Sequence, residues 1–423
     1  MSNVVSLNKQ PQDPQAIEFD AFLARYQFTS AFQPIFSPSH RRLVGFEALI
    51  RVQSNDHPIT PPALFKQALE AGHTERLDRH LLSHHLNTFA AQPEPTWLFL
   101  NISPDTCVHP DDSLDQLSSD CKASGLSPSQ VVLEVVETAT SDKQALLRFV
   151  KQAKQYGFQI AIDDFGMGDS NFERMWQLEP LIVKLDRSLL VNAVQHRRAR
   201  LLLESLVKMI RESGSLVLLE GIETETEARL ALSTEADLLQ GFLFGRPAAL
   251  ESTVTEPSEK AFDTHLELFW RHSQKDVVAH EGYLRLLRYE IMEASHGIIR
   301  RQGFAEICRS LLAIDGVQRC FLLNGQGIQQ GGFTCARPEH RDTTFNPLYL
   351  SSGACWQHRE YFRNALERPQ DIHASRPYVA LPDAVRTVTL SCGLRVDDQY
   401  RVFCVDLHPD AVFDGNLSFP DTL

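Results

Sequence analysis

Gln159-Ile160-Ala161-Ile162-Asp163-Asp164-Phe165-Gly166, with Leu181-Ile182-Val183-Lys184-Leu185-Asp186 beyond it, is the stretch whose reading decides the fold. Each half is a short apolar strand that stops at charged residues. The first stops at two adjacent carboxylates, which repel each other unless a cation lies between them. Divalent metal ions would neutralise the pair and give it a task. A solvated Asp-Asp turn ahead of Gly166 accounts for the same residues when they are taken alone. The choice depends on whether other strands end the same way.

Upstream, Phe19–Arg25 reads as a short helix, and Ser30–Phe36 and Leu43–Val52 as a strand pair joined by the turn Pro38-Ser39-His40. Pro61-Pro62 opens a helix at its first turn. Leu77–Phe89 is another, with Leu77, Leu81, Leu82 and Leu86 on one face. Trp97–Ser103 and Val131–Glu137 are strands, with helices over Leu114–Ser124 and Ala145–Tyr156. Downstream, a long helix over Arg198–Glu212 leads to the strand Leu216–Glu220, and a helix over Glu225–Leu232 to a last strand, Leu238–Gly245. Strand and helix alternating in units of about 30 residues imply a parallel sheet. Strands this uniformly apolar are buried on both faces. Eight of them in roughly 230 residues fit a closed (β/α)8 barrel better than an open sheet. Glu47, Asn101, Glu134, Asp163, Asp164, Lys184, Glu220 and Gln240 fall at or near the C-terminal ends of these strands. Active sites of such barrels are built at that end.

Residues 246–260 break the repeat with Pro247, Pro257, Ser and Thr, and mark a domain boundary. The expected organisation is a disordered tail over 1–16, the barrel over 17–250, a helical linker over 251–300 and a second domain over 301–423. Residues 261–301 carry apolar stripes suited to a core-facing or dimer-facing helix. The second domain reads as α+β. It has a helix over 304–312, a strand over Val317–Asn324, a hairpin signal at Asn324-Gly325, a helix over 361–367, and antiparallel strands over 377–381, 385–394 and 401–407.

A chain of 423 residues is long enough for two domains with separate cores. Its formal charge of -13 argues against a nucleic-acid polymer as partner, which needs a basic face. Residues 1–15 lack the apolar segment of a signal peptide, and no apolar run approaches the roughly 20 residues that span a bilayer. The expectation is a cytoplasmic protein whose scattered cysteines are buried free thiols, not a zinc site or disulfide framework. The strand-end set offers five carboxylates and, in Asn101, an amide oxygen beside them, with no His or Cys. Hard divalent cations such as Mg²⁺ or Mn²⁺ suit such ligands. Five carboxylates exceed the usual share of one Mg²⁺, so two ions about 3.5–4 Å apart are the economical reading. Two such ions serve in-line displacement at phosphorus. Lys184, on the neighbouring strand, either orients the attacking water and stabilises transition-state charge or pairs with the surplus carboxylates.

With these residues in view, the chain resembles the EAL domains, the cyclic di-GMP phosphodiesterases. Glu47-Ala48-Leu49-Ile50-Arg51 looks like the signature of that family. The other motifs follow in the family's order: Gln33-Pro34, Asn101-x-Ser103, Glu134-x-x-Glu137, Asp163-Asp164-Phe165-Gly166, Lys184-x-Asp186, Glu220-Gly221-Ile222-Glu223 and Gln240-Gly241. The resemblance implies a (β/α)8 TIM-type barrel with its first strand antiparallel, two Mg²⁺ or Mn²⁺ ions, and hydrolysis of cyclic di-GMP to linear pGpG. On it, Glu47, Asn101, Glu134, Asp163, Asp164 and Glu220 would hold metal, Asp163 bridging the two ions. Lys184 would position or activate the water, and Glu137 would tether the loop after Asp164. Gln33, Leu49, Arg51, Asp186, Glu223 and Gln240 would line the substrate, Arg51 at a phosphate. Two places depart from the family pattern: Gly166-Met167-Gly168-Asp169-Ser170-Asn171 stands where Gly-Thr-Gly-Tyr-Ser-Ser is usual, and Val136 where a Thr is usual. Residues 301–423 resemble PAS-like or Cache-like sensory domains through Arg359–Leu366 and Arg376-Pro377-Tyr378; a dimerisation module without ligand fits them as well. The resemblance also implies a homodimer and an unidentified signal at the C-terminal domain. The alternative to an enzyme is a catalytically weak EAL domain acting as a cyclic di-GMP receptor or partner-binding module. Silent members lose the first Glu, an Asp of the pair or the Lys, all of which this chain retains.

Overall fold

The computed structural model describes residues 14–55, 57–90, 92, 95–107, 110–136, 143–166, 172–253, 256–335, 353–380 and 385–408. The chain divides into two units, Met1–Phe269 and Trp270–Leu423.

The first unit is built on β1 (Gln27–Ser37), β2 (Arg42–Ser54), β3 (His57–Ile59), β4 (Trp97–Asn101), β5 (Val131–Val136), β6 (Gln159–Phe165), β7 (Ile182–Leu185), β8 (Leu216–Leu219) and β9 (Leu238–Gln240). The order β1-β9-β8-β7-β6-β5-β4-β2 closes on itself because β1 also pairs with β2, giving an eight-stranded barrel with β3 added outside β2. From β2 through β4 to β9 every barrel pairing is parallel. Only β1 runs against its neighbours, antiparallel to both β2 and β9. The expected barrel with one reversed first strand is what the chain forms.

The pleat explains how such apolar strands carry a polar site. Successive side chains on a strand face opposite ways. Ile160, Ile162, Leu133, Val135, Val217 and Leu219 point outward into the main core beneath the helices. Ile35, Phe99, Val132, Ala161, Ile182, Leu218 and Leu238 point inward and fill the barrel. Two residues further toward the C-terminal end of each strand, the same inward row becomes Asn101, Glu134, Asp163, Lys184, Glu220 and Gln240. On antiparallel β1 the matching step is backwards, to Gln33, which lies in register with Glu47 of β2. An apolar floor is thus overlaid by a complete polar storey.

Several elements differ from expectation. The helix at the N-terminus spans Pro14–Leu23, with Pro14 in the first turn, where the missing N–H costs nothing; residues 1–13 lie outside the described residues. The strand expected over Leu238–Gly245 ends at Gln240. A Cβ on Gly241 would lie 2.0 Å from the Ile222 carbonyl oxygen, so the chain there is pressed against another backbone and turns away. The helix expected from Arg198 is preceded by another, Arg187–Gln195, whose N-cap is Asp186.

In the second unit, β10 (Val317–Asn324), β11 (Gln329–Cys335), β12 (Ile372–Ala374), β13 (Tyr378–Ala380), β14 (Val385–Val396) and β15 (Gln399–Leu407) form an antiparallel sheet of order β11-β10-β15-β14-β12, with β13 on β14. One face packs on Leu287, Ile291, Ala294 and Ile298 of the helix Glu256–Ile299. The other face packs on Tyr361, Phe362 and Ala365 of the helix Glu360–Glu367. Asn324-Gly325 does turn the chain between β10 and β11, the Asn324 side-chain oxygen accepting from the Gln326 and Ile328 N–H groups. Cys107, Cys121, Cys308, Cys320, Cys392 and Cys404 are buried free thiols, and Cys355 is an exposed one. No helix among the described residues is long and apolar enough to cross a membrane.

Candidate active site

Lys184 is the centre of the polar storey. It is 1% exposed, and its Nζ lies 2.6 Å from Glu134 Oε1, 2.7 Å from Glu220 Oε1, 2.9 Å from Asp163 Oδ1 and 3.7 Å from Glu47 Oε2. Four strands deliver these carboxylates to one ammonium group. Burial alone would lower the Lys184 pKa, but the surrounding carboxylates outweigh it and hold the amine well above its usual value. Glu134 is pushed well up by burial and by the other acids, against the pull of Lys184. Glu220, also buried among them, is pushed up to about 8.

Asp163 and Asp164 occupy neighbouring strand positions and by the pleat should face opposite ways. Two distortions prevent this. The β6–β7 register shifts between Ile162 and Phe165, and Asp164 adopts the left-handed region at φ 54°, where Asp is tolerated better than most residues. The result is that Asp163, Asp164 and Glu220 each place an oxygen within 4.8 Å of the others. Strain at a strand end, cost on the order of 1–3 kcal/mol, is here bound up with convergence of charge. Burial, then Asp163 and Asp186, raise the Asp164 pKa.

Glu47 is aimed from both sides. Gln240 Nε2 donates to its Oε2 at 2.8 Å, and Asn101 Nδ2 to its Oε1 at 3.2 Å. Glu47 lies mid-strand by length, yet it is the last residue of β2 paired with β4; β2 then runs on to pair with β3. Glu134 Oε2 and Gln240 Oε1 are buried without a hydrogen-bond partner among the described residues. Glu134 Oε1, Asp163 Oδ1 and Glu220 Oε1 each face the Lys184 ammonium at hydrogen-bonding distance.

The other expected residues are less centrally placed. Leu49 and Arg51, on the β2 extension, line a cavity of about 180 Å³ beside Asn101, and the Arg51 side chain is exposed. Gln33 donates to the Gly245 carbonyl at 3.4 Å. Asp186 accepts from the Ser188 N–H at 2.8 Å as a helix cap. Glu223 is ion-paired to Arg187, which lowers its pKa. Glu137 and the 167–171 loop lie outside the described residues. Two residues escaped the sequence reading. Arg187 packs its side chain where a Cβ on Gly221 would stand, next to Glu220. Asp78 interrupts the apolar face of its helix, a signal present but unread.

A family model described as the EAL domain matches residues 18–247. The chain belongs to the EAL-domain family. Cyclic di-GMP phosphodiesterase PdeF of Escherichia coli is 30% identical over 219 residues, which are 50% of this chain and 29% of that protein. The chain spans about a third of the length of the curated relatives it matches. Among solved structures, the EAL-domain protein YkuI of Bacillus subtilis, in complex with substrate cyclic di-GMP and calcium, superposes with a TM-score of 0.74 at 21% identity. That match covers 93% of this chain and 98% of YkuI, and it shows a shared fold through both units. The PaMucR phosphodiesterase, a cyclic di-GMP complex, superposes with a TM-score of 0.50 at 26% identity, covering 56% of this chain and 96% of that one. EAL domain and barrel agree in extent: the match ends seven residues beyond Gln240.

Proposed function

We propose that this EAL barrel hydrolyses one phosphodiester bond of cyclic di-GMP to give linear pGpG, with two Mg²⁺ or Mn²⁺ ions. The observation that carries the reading is the convergence of Glu47, Glu134, Asp163 and Glu220 on Lys184, with Asp164 alongside. Five carboxylates against one ammonium leave a formal charge of four negative, which two divalent cations would cancel. Glu134 Oε2, buried with no donor, and the carboxylate oxygens around it are hard ligands of the right kind for such ions. The related cyclic di-GMP phosphodiesterases support the substrate.

Glu47, Asn101, Glu134, Asp163, Asp164 and Glu220 would hold the ions. When bound, divalent ions supply Lewis acidity toward the phosphate and lower the pKa of water. Lys184 holds a proton and a positive charge at the centre of the site, where it can orient a nucleophile and oppose charge growing on phosphate oxygens. Gln240 and Asn101 fix the carboxylate of Glu47. Arg51, exposed on the β2 extension, would meet a substrate phosphate, with Leu49 beside it. Gln33, Asp186 and Glu223 complete the rim of the substrate site, and Glu137 would tether the loop after Asp164. A homodimer, and control of the barrel by a PAS-like or Cache-like unit at about 301–423, joined through the helical segment at about 251–300, belong to the same proposal. The antiparallel sheet with a helix on each face supports that reading of the second unit.

Purified chain incubated with cyclic di-GMP and Mn²⁺ is expected to release pGpG, followed by chromatography. Glu47→Ala is expected to lower turnover by roughly 100-fold or more with an unchanged circular dichroism spectrum. Wild-type binding of cyclic di-GMP with no pGpG formed would contradict the enzyme and favour a receptor.

A further inference from the structure

Asp78 is a buried carboxylate that the proposed chemistry leaves unused. It sits in the helix Thr74–Phe89 among the buried residues Leu77, Leu81, Leu82, His85, Leu86 and Phe89, and it is 3% exposed. Burial pushes its carboxyl up to about 6. A charged group in such a place costs stability unless hydrogen bonds compensate. One oxygen makes both of the bonds: Asp78 Oδ2 accepts from the Ser103 N–H at 3.0 Å and from Thr106 Oγ1 at 2.5 Å.

Both donors belong to the turn that follows Asn101. The β4–β5 register ends at Asn101 opposite Glu134. The Ile102 N–H still reaches the Glu134 carbonyl at 3.0 Å, and the Thr106 N–H closes the turn onto the Ser103 carbonyl at 3.0 Å. Past Ile102 the strand has no further ladder to hold it, and Asp78 takes over. Asn101 in turn donates to Glu47. Asp78 and Asn101 also share the lining of one cavity with Leu49, Arg51 and His85.

We propose that Asp78 is a positioning residue. Its carboxylate oxygen ties down the Ser103–Thr106 turn and so sets the place of Asn101 and, through it, of Glu47 at the metal-binding rim. The inference rests on Asn101 and Glu47 being metal ligands, as proposed above. A carboxamide oxygen can accept the same two hydrogen bonds, so Asp78→Asn should preserve the anchor while Asp78→Ala removes it.

The test is calorimetric Mn²⁺ binding to the full chain, with thermal unfolding and pGpG formation alongside. Asp78→Asn is expected to bind Mn²⁺ within about threefold of wild type. Asp78→Ala is expected to bind at least about tenfold more weakly, with turnover recovered in part at high Mn²⁺. A folded Asp78→Ala protein with wild-type Mn²⁺ affinity would overturn the inference. So would an Asn variant as impaired as the Ala variant. Should Asp78→Ala not fold, Thr106→Val removes one donor at constant shape, and wild-type Mn²⁺ affinity in that variant would overturn the inference equally. A wild type that binds no Mn²⁺ overturns the metal reading itself and this inference with it.

Discussion

Lys184→Met is expected to lower the stability of the metal-free protein by about 3–5 kcal/mol, the usual cost of removing one partner from a buried ion pair. Methionine replaces the aliphatic stem and lacks only the terminal nitrogen, so the loss would report mainly charge and not a cavity. Glu134, with no exposed side-chain surface, would lose the only cation within 4 Å among the described residues. Glu220 and Asp163 would lose theirs as well. At about 2–4 °C per kcal/mol, thermal unfolding without metal should fall by roughly 6–20 °C. Saturating Mn²⁺ should restore much of the stability by binding the folded state. Turnover separates the two roles open to this lysine. If it serves only to neutralise surplus acid, Mn²⁺ restores hydrolysis along with the fold. If it orients the nucleophile or stabilises the transition state, hydrolysis stays down by roughly 100–1,000-fold in the refolded, metal-loaded variant. The second result is the expected one. An unchanged unfolding temperature without metal would contradict the ion-pair account.

Gly241→Ala is expected to cost more than about 3 kcal/mol, at the upper end for an overpacked site. A Cβ at this position would lie 2.0 Å from the Ile222 oxygen and 2.3 Å from its nitrogen, both backbone atoms that no rotamer change can move aside. The Ile222 N–H donates to the Gln240 carbonyl at 3.1 Å and the Leu243 N–H to the Ile222 carbonyl at 3.0 Å, so the two loops are stitched together where the methyl would enter. Forcing them apart displaces Glu220 on one side and Gln240 on the other. Thermal unfolding and Mn²⁺ binding should therefore fall together. Gly282→Ala is the control. It lies in a helix with open space at its Cβ and should stabilise by about 0.5–1 kcal/mol. Equal unfolding temperatures for Gly241→Ala and wild type would show that the backbones can separate without penalty.

The barrel was legible because its strands and helices alternate and its apolar runs are short and bounded. The reversed first strand followed from the hairpin spacing and the family likeness together. The carboxylates proposed to bind metal were legible as strand ends. What could not be read was the geometry that makes it one site. Period-two alternation would send Asp164 away from Asp163, and only the register shift at β6 and the left-handed backbone of Asp164 bring it back. The strand Leu43–Val52 was legible through most of its length, but not that its pairing with β4 ends at Glu47 while β1 and β3 hold the rest of it. Helix Arg187–Gln195 was missed although Asp186 and Ser188 are a good N-cap sequence, because Asp186 was read for chemistry alone. Asp78 went unremarked because one acid on an apolar helix face carries no message until its partners, 25 and 28 positions away, are known.

The central claim is that the carboxylates around Lys184 form a divalent-metal site that cleaves cyclic di-GMP. The most direct test is titration of chelator-treated wild-type protein with Mn²⁺ while bound metal and pGpG are measured in the same samples. The account predicts about two Mn²⁺ per chain, with pGpG formation absent at the start and rising as the second ion binds. Hydrolysis undiminished in the metal-free protein, or a chain that binds no Mn²⁺ and releases no pGpG, would contradict it.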